Sequence, residues 1–127
     1  LNIFLPEKKV RTQVMAIATD TTPLEAPKNP ETCTVFSLYS LIATESEIAT
    51  MRSNYEAGGF GYGHAKQALY VAILERFATA RTKFDSFMEQ PEVLEGQLQK
   101  GAEKVRKVAQ EVLQRVRTNV GFSPKSF

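Results

Sequence analysis

Lys100, Lys104, Lys107 and Arg115 fall along one flank when the last helical stretch is plotted at 100° per residue, away from its line of valines. A strip of cations so arranged could follow a phosphate backbone; it could equally be a solvated helix face. Lys66 stands out for a different reason. It lies on the apolar line of the preceding helical stretch, one turn before Leu69 and Tyr70, where a core should continue. Either that helix start protrudes beyond its neighbours, or the stem snorkels and aims the ammonium at something.

Other chemistries find little support. His64 is the only histidine and Cys33 the only cysteine, so a His-His zinc pair, a paired-cysteine site and an internal disulfide are all excluded. No metal site is expected. The glycines of Ala57-Gly58-Gly59-Phe60-Gly61-Tyr62-Gly63 precede a helix, but no strand leads into them and no Lys-Ser/Thr pair follows, so they read as helix punctuation and not as a phosphate cradle. Glu45, Glu47, Glu92 and Glu95 lie near helix starts, where they offset the positive end of the helix dipole. No catalytic residue is expected in the chain.

These side chains must be carried by helices. Pro6 suits a first helical position, and Val10, Val14 and Ile17 then repeat on one face, which predicts a helix over about residues 6–19. The run Asp20-Thr21-Thr22-Pro23-Leu24-Glu25-Ala26-Pro27-Lys28-Asn29 has two prolines and no apolar period, and reads as an extended surface connection. Asn29-Pro30-Glu31 offers a cap, a first-turn proline and a first-turn acid for a second helix reaching about Ala43. Thr44 and Glu47 match a capping box for a third helix, with Ile48, Met51 and Tyr55 on its buried side, and Gly58-Gly59 stops it. Leu69, Ile73, Phe77, Ala80, Phe84 and Phe87 mark a long fourth helix ending near Gln90. Leu94, Leu98, Ala102, Val105, Ala109, Val112, Val116 and Val120 mark a fifth, where Gly101 offers a place to bend or split. No segment alternates with the period of a strand. The expected fold is all-α, an antiparallel helical bundle with apolar stripes turned inward.

The 127 residues suit one domain, and a hydrophobic share of 43% with 24% charged residues is that of a folding chain. Residues 1–63 hold 5 Lys/Arg and 7 Asp/Glu, whereas residues 64–127 hold 11 and 7, so a polyanion is expected on the second half. A single cysteine fits a reducing, cytoplasmic home, and with no apolar run long enough to cross a bilayer and no signal-peptide pattern no membrane role is expected. The chain opens on Leu1 instead of Met, which reads as a fragment or trimmed product.

Across Tyr55-Glu56-Ala57-Gly58-Gly59-Phe60-Gly61-Tyr62-Gly63-His64-Ala65-Lys66, the sequence resembles the tryptophanyl-tRNA synthetase family, bacterial type. The resemblance extends upstream through Thr19-Asp20-Thr21-Thr22-Pro23 and the Cys33-to-Tyr39 stretch. Downstream it runs through Gly101-Ala102-Glu103-Lys104 to Val120-Gly121, so it covers nearly the whole chain. It departs from the family's usual pattern at His64, where an acid is common, and near Ala78-Thr79-Ala80, where a proline often precedes the position of Arg81.

In that family the matching segment follows the KMSKS loop of a Rossmann-type class I catalytic domain, and the helices after it form the anticodon-binding region. The resemblance thus implies that residues 1–20 are the tail end of the catalytic-domain junction and residues 21–127 the helical anticodon-binding domain. It implies an intact enzyme that activates tryptophan with ATP and Mg2+ and charges its tRNA as a homodimer. The HIGH-type and KMSKS motifs are absent, so no cofactor is expected in this chain, whose partners would be the tRNA anticodon loop and the enzyme's own catalytic domain. By position in the family's helices, Lys66, Arg81 and Lys83 are the candidates for meeting that loop. Tyr62 could stack on a base or serve the hydrophobic turn. A free-standing helical RNA- or protein-interaction domain is the alternative reading of the bundle and its basic flank.

Overall fold

A computed structural model describes residues 1–122. Among them every regular element is helical, as expected: α1 (Glu7–Met15), α2 (Thr34–Ser40), α3 (Glu45–Ala57), α4 (Tyr62–Glu89) and α5 (Pro91–Asn119), with a 3-10 turn at Pro30–Thr32. Residues 123–127, the end of the expected second domain, lie outside the described residues. The chain divides into two compact units, Leu1–Phe84 and a second that begins at Asp85.

The first unit holds the core. Val10 and Val14 of α1, one turn apart, are fully buried against Val35, Phe36, Met51, Tyr55, Leu69 and Ile73. Pro6 acts as the N-cap of α1 instead of its first residue, its carbonyl accepting from the amides of Lys9 (2.8 Å) and Val10 (3.1 Å). The helix ends at Met15, about a turn sooner than the apolar spacing suggests. The apolar N-terminal stretch has more support than expected. Phe4 stacks on Phe84 at 4.8 Å between ring centroids, and the Asn2 amide donates to Gln13 Oε1 at 3.0 Å.

The expected second helix is broken. Asn29 caps as its sequence suggests, Oδ1 accepting from the Glu31 amide at 2.9 Å, but only a 3-10 turn follows. Cys33 is extended (φ −94°, ψ 114°), and α2 starts after it. The break puts Cys33 Sγ 3.4 Å from the Tyr55 hydroxyl inside the core, in a stretch where Thr32, Thr34 and Val35 give helix little intrinsic support. Local propensity is weak there and the tertiary contact decides.

The capping box is formed as expected: the Thr44 amide donates to Glu47 Oε2 at 2.8 Å and the Glu47 amide to Thr44 Oγ1 at 3.4 Å. Those Thr44 donors hold the Glu47 carboxyl below the usual carboxylate range. Gly58 and Gly59, at φ 77° and 74°, then end α3.

In the second unit α5 passes through Gly101 without a break. Its apolar line does not face inward as expected. No residue of α5 is buried, and Leu94, Leu98, Val105, Val112 and Val116 all count among the exposed hydrophobics. The inward-stripe expectation holds for α1, α3 and the first half of α4, where Leu69 and Ile73 are buried, while Phe84 and Phe87 farther along are exposed.

Candidate nucleic-acid interface

The connection between Asp20 and Asn29 is more than an extended surface strand, because its Lys28 is buried with 4% exposure. The Lys28 ammonium donates to the carbonyls of Pro23 (3.0 Å), Leu24 (3.1 Å) and Ala26 (3.1 Å), so the loop is wrapped around its own cation. All three ammonium protons find acceptors, which is what allows the lysine to be buried, and the Asp20 carboxylate is near enough to interact with its charge. The same ammonium lies 5.5 Å from the Tyr62 ring centroid, within cation–π range. The Lys28 amide donates to the Tyr55 carbonyl at 2.7 Å and the Gly59 amide to the Leu24 carbonyl at 3.0 Å, which fastens the wrapped loop to the end of α3.

The glycine string is the seat for this loop. A Cβ on Gly58 would collide with the Glu25 carbonyl oxygen, and one on Gly61 would stand 3.2 Å from Leu24 Cδ1. Tyr62, the first residue of α4, donates its hydroxyl to Asp20 Oδ1 at 2.8 Å and turns its ring edge-on to Tyr55 at 6.1 Å. Burial and that bond push the Tyr62 hydroxyl up to about 12. The donors of Thr22, then Tyr62, hold Asp20 below the usual carboxylate range. A depressed carboxyl contributes stability that is present above its unfolded value and is lost as pH falls through its folded one. A raised phenol contributes stability that is present below its unfolded value and is lost as pH rises through its folded one.

Lys66, Arg81 and Tyr62 each place a polar group on the chain itself. Lys66 Nζ donates to the Met15 carbonyl at 3.1 Å, so the charge on the apolar line of α4 meets the negative end of the α1 dipole. Arg81 donates through Nη1 to the carbonyls of Ile3 and, at 3.0 Å, of Leu5. Tyr62 is held as described, its ring inside an aromatic cluster with Tyr55 and beneath Lys28. Lys83 lies on the exposed side of α4, two residues beyond Arg81. Lys66 and Arg81 therefore share a task in this unit: they pin residues 3–15 to α4 through backbone carbonyls.

The basic flank is a separate feature. Lys100, Lys104, Lys107 and Arg115 are all exposed on α5, and the first three border a shallow dent at Gly101 that Glu103 also lines. His64, expected to be structural or on the surface, is exposed, with its ring centroid 5.8 Å from that of Phe60. No group of three or more His, Cys, Asp and Glu side chains able to hold a metal ion occurs among the described residues. No helix of the described residues is long and apolar enough to cross a membrane.

Lys28 is not marked out by its sequence context, a loop with two prolines in which Glu25 and Glu31 stand three residues to either side. Arg52 is a second surprise. Nη1 pairs with Glu31 Oε1 at 2.6 Å, and the guanidinium carbon lies 5.1 Å from the Phe36 ring centroid, tying α3 to the 3-10 turn and α2.

No protein-family model matches the chain. Curated relatives do. A tryptophan–tRNA ligase of Rhodopirellula baltica is 41% identical over 122 residues, which are 96% of this chain and 38% of that protein. One from Campylobacter jejuni is 39% identical with the same coverage, and one from Fusobacterium nucleatum 38% over 124 residues. Among solved structures, tryptophanyl-tRNA synthetase from Campylobacter jejuni complexed with ADP and tryptophan superposes with a TM-score of 0.91 at 39% identity, covering 95% of this chain and 38% of that one. The helical fold and these matches make the chain a homologue of aminoacyl-tRNA ligases. Within that class it is homologous to part of the tryptophan–tRNA ligases, and it spans about 38% of the length of the curated relatives it matches.

Proposed function

We propose that this chain is the helical tRNA-binding part of a tryptophan–tRNA ligase, with residues 1–20 as the junction to the catalytic domain and residues 21–127 as the anticodon-reading domain. The observation that carries the proposal is the near-complete match of the chain, at 41% identity, to about two-fifths of proteins that bear this activity in their names. The intact enzyme, on this reading, is a cytoplasmic homodimer that activates tryptophan with ATP and Mg2+ and transfers it to the tRNA. On this reading ATP and Mg2+ are held by the catalytic domain of the intact enzyme.

Within the chain the residues divide their labour. Lys28, Lys66 and Arg81 shape the surface by fixing the loop and the N-terminal segment on α3 and α4. Lys83 on α4 and the flank of Lys100, Lys104, Lys107 and Arg115 on α5 supply exposed cations for the RNA. Tyr62 holds the turn, and Lys66 and Arg81 meet the anticodon loop only through the backbone they position.

The flank is testable by salt dependence. Binding of tryptophan tRNA should weaken with added salt, and Lys104→Ala and Lys107→Ala should each make the slope of log affinity against log salt shallower by roughly 0.7–0.9. Lys8→Ala, on the exposed side of α1, should leave that slope unchanged. Equal slopes for all of these variants would remove the flank from the interface.

A further inference from the structure

Three aromatic rings lead from the core of the first unit to its surface. Tyr55, fully buried on α3, packs against Phe36 at 5.5 Å between ring centroids and against the half-buried Phe60 at 5.8 Å. Phe60 in turn lies 5.8 Å from His64, the third residue of α4, with the two ring planes 34° apart. The His64 side chain is exposed. It is a flat group at the surface with a packed aromatic wall behind it.

The backbone holds this wall in place. The Gly59 amide donates to the Leu24 carbonyl at 3.0 Å, a Cβ on Gly61 would stand 3.2 Å from Leu24 Cδ1, and the His64 amide donates to the Gly61 carbonyl at 3.0 Å. A ligand that packs on His64 therefore does not have to order the turn first. There is also room for one. A Cβ on Gly59 or on Gly63 would meet nothing within 4 Å, so bare main chain borders the rings, and a sugar or a flat ring can approach it closely.

The fold makes little use of the imidazole. Among the described residues it has Phe60 as its ring neighbour, and no group hydrogen-bonds to it. Tyr62, whose place in the sequence suggests stacking, has its ring beneath Lys28 and its hydroxyl on Asp20. The ring left open is two residues farther on. Charge narrows what could sit there. The loop seated on the glycines brings Asp20 and Glu25, and its Lys28 ammonium is held by three carbonyls, so this corner offers phosphate little attraction. A ligand here is held by its ring face, as unpaired bases are on aromatic and histidine side chains.

We propose that the His64 imidazole, backed by Phe60, is a stacking platform for one unpaired base of the bound RNA. The proposal rests on the tRNA-binding reading and adds to it the residue that meets a base. Fluorescence anisotropy on the 127-residue chain, with a labelled hairpin bearing the tryptophan anticodon loop, tests it. His64→Ala should weaken binding by about fivefold or more, and His64→Phe, which keeps a flat ring, should restore most of the loss. The slope of log affinity against log salt should be the same in parent and variants, because no phosphate contact is removed. In a second series, each hairpin lacks one base of the loop. One position should then emerge at which removal of the base weakens binding by the parent but not by His64→Ala. Should His64→Ala bind as tightly as the parent, or the loss remain in His64→Phe, or every missing base affect parent and His64→Ala alike, the platform is refuted and the tRNA-binding reading stands. A parent chain that binds no hairpin would refute both.

Discussion

Lys28→Met should destabilise the chain more than any substitution of an exposed lysine, by about 3–5 kcal/mol, because it strands three loop carbonyls that now accept from one charged donor. Methionine preserves much of the stem and removes only the ammonium, so the loss reads the cage and not the packing. On a domain of this size each kcal/mol lowers Tm by about 4–8 °C. The helical signal should therefore melt well below that of the parent chain, while Lys8→Ala melts with it. Lys28→Arg should fall between the two, since a planar fork suits three converging carbonyls poorly but keeps the charge over Tyr62. A melting point for Lys28→Met within a degree or two of the parent would mean that water serves those carbonyls equally well.

Gly58→Ala should cost about 2–4 kcal/mol and Gly59→Ala about 1 kcal/mol, although both glycines have positive φ. The difference lies in what a methyl group would meet. At Gly59 nothing stands within 4 Å, so only the backbone preference is lost, whereas at Gly58 the Glu25 carbonyl occupies the space. Relief would require moving the Leu24–Ala26 turn, and with it the Lys28 cage. Denaturant midpoints of the two variants check this, and equal costs would show that the loop yields freely.

Legible in the sequence is whatever a few neighbouring residues decide. The Thr44–Glu47 box, the Asn29 cap and the Gly58-Gly59 stop depend on side chains within one turn of the groups they satisfy, and all three are formed. The break at Cys33 is not legible, because it is fixed by Tyr55, twenty-two residues away. Lys66 shows both sides of this. Its place on an apolar line identifies it as unusual, but its acceptor, the Met15 carbonyl, lies fifty-one residues upstream and is created only when α1 packs on α4. Arg81 follows the same logic with Ile3 and Leu5. Lys28 carries no such signal, because its partners are backbone carbonyls, which every residue has and no sequence pattern marks. The valines of α5 do form one stripe, as their periodicity indicates, and that periodicity says nothing of what covers it.

Whether this chain reads the anticodon of a tryptophan tRNA is the central question. Fluorescence anisotropy with the 127-residue chain and two labelled stem-loops addresses it directly: one carries the tryptophan anticodon, the other the same stem with those three bases replaced. Base contacts contribute about 1–3 kcal/mol each, so the cognate loop should bind at least roughly tenfold more tightly, with a similar salt slope for both. Equal affinity for the two loops would contradict anticodon reading and leave a helical segment that holds RNA by its phosphates alone.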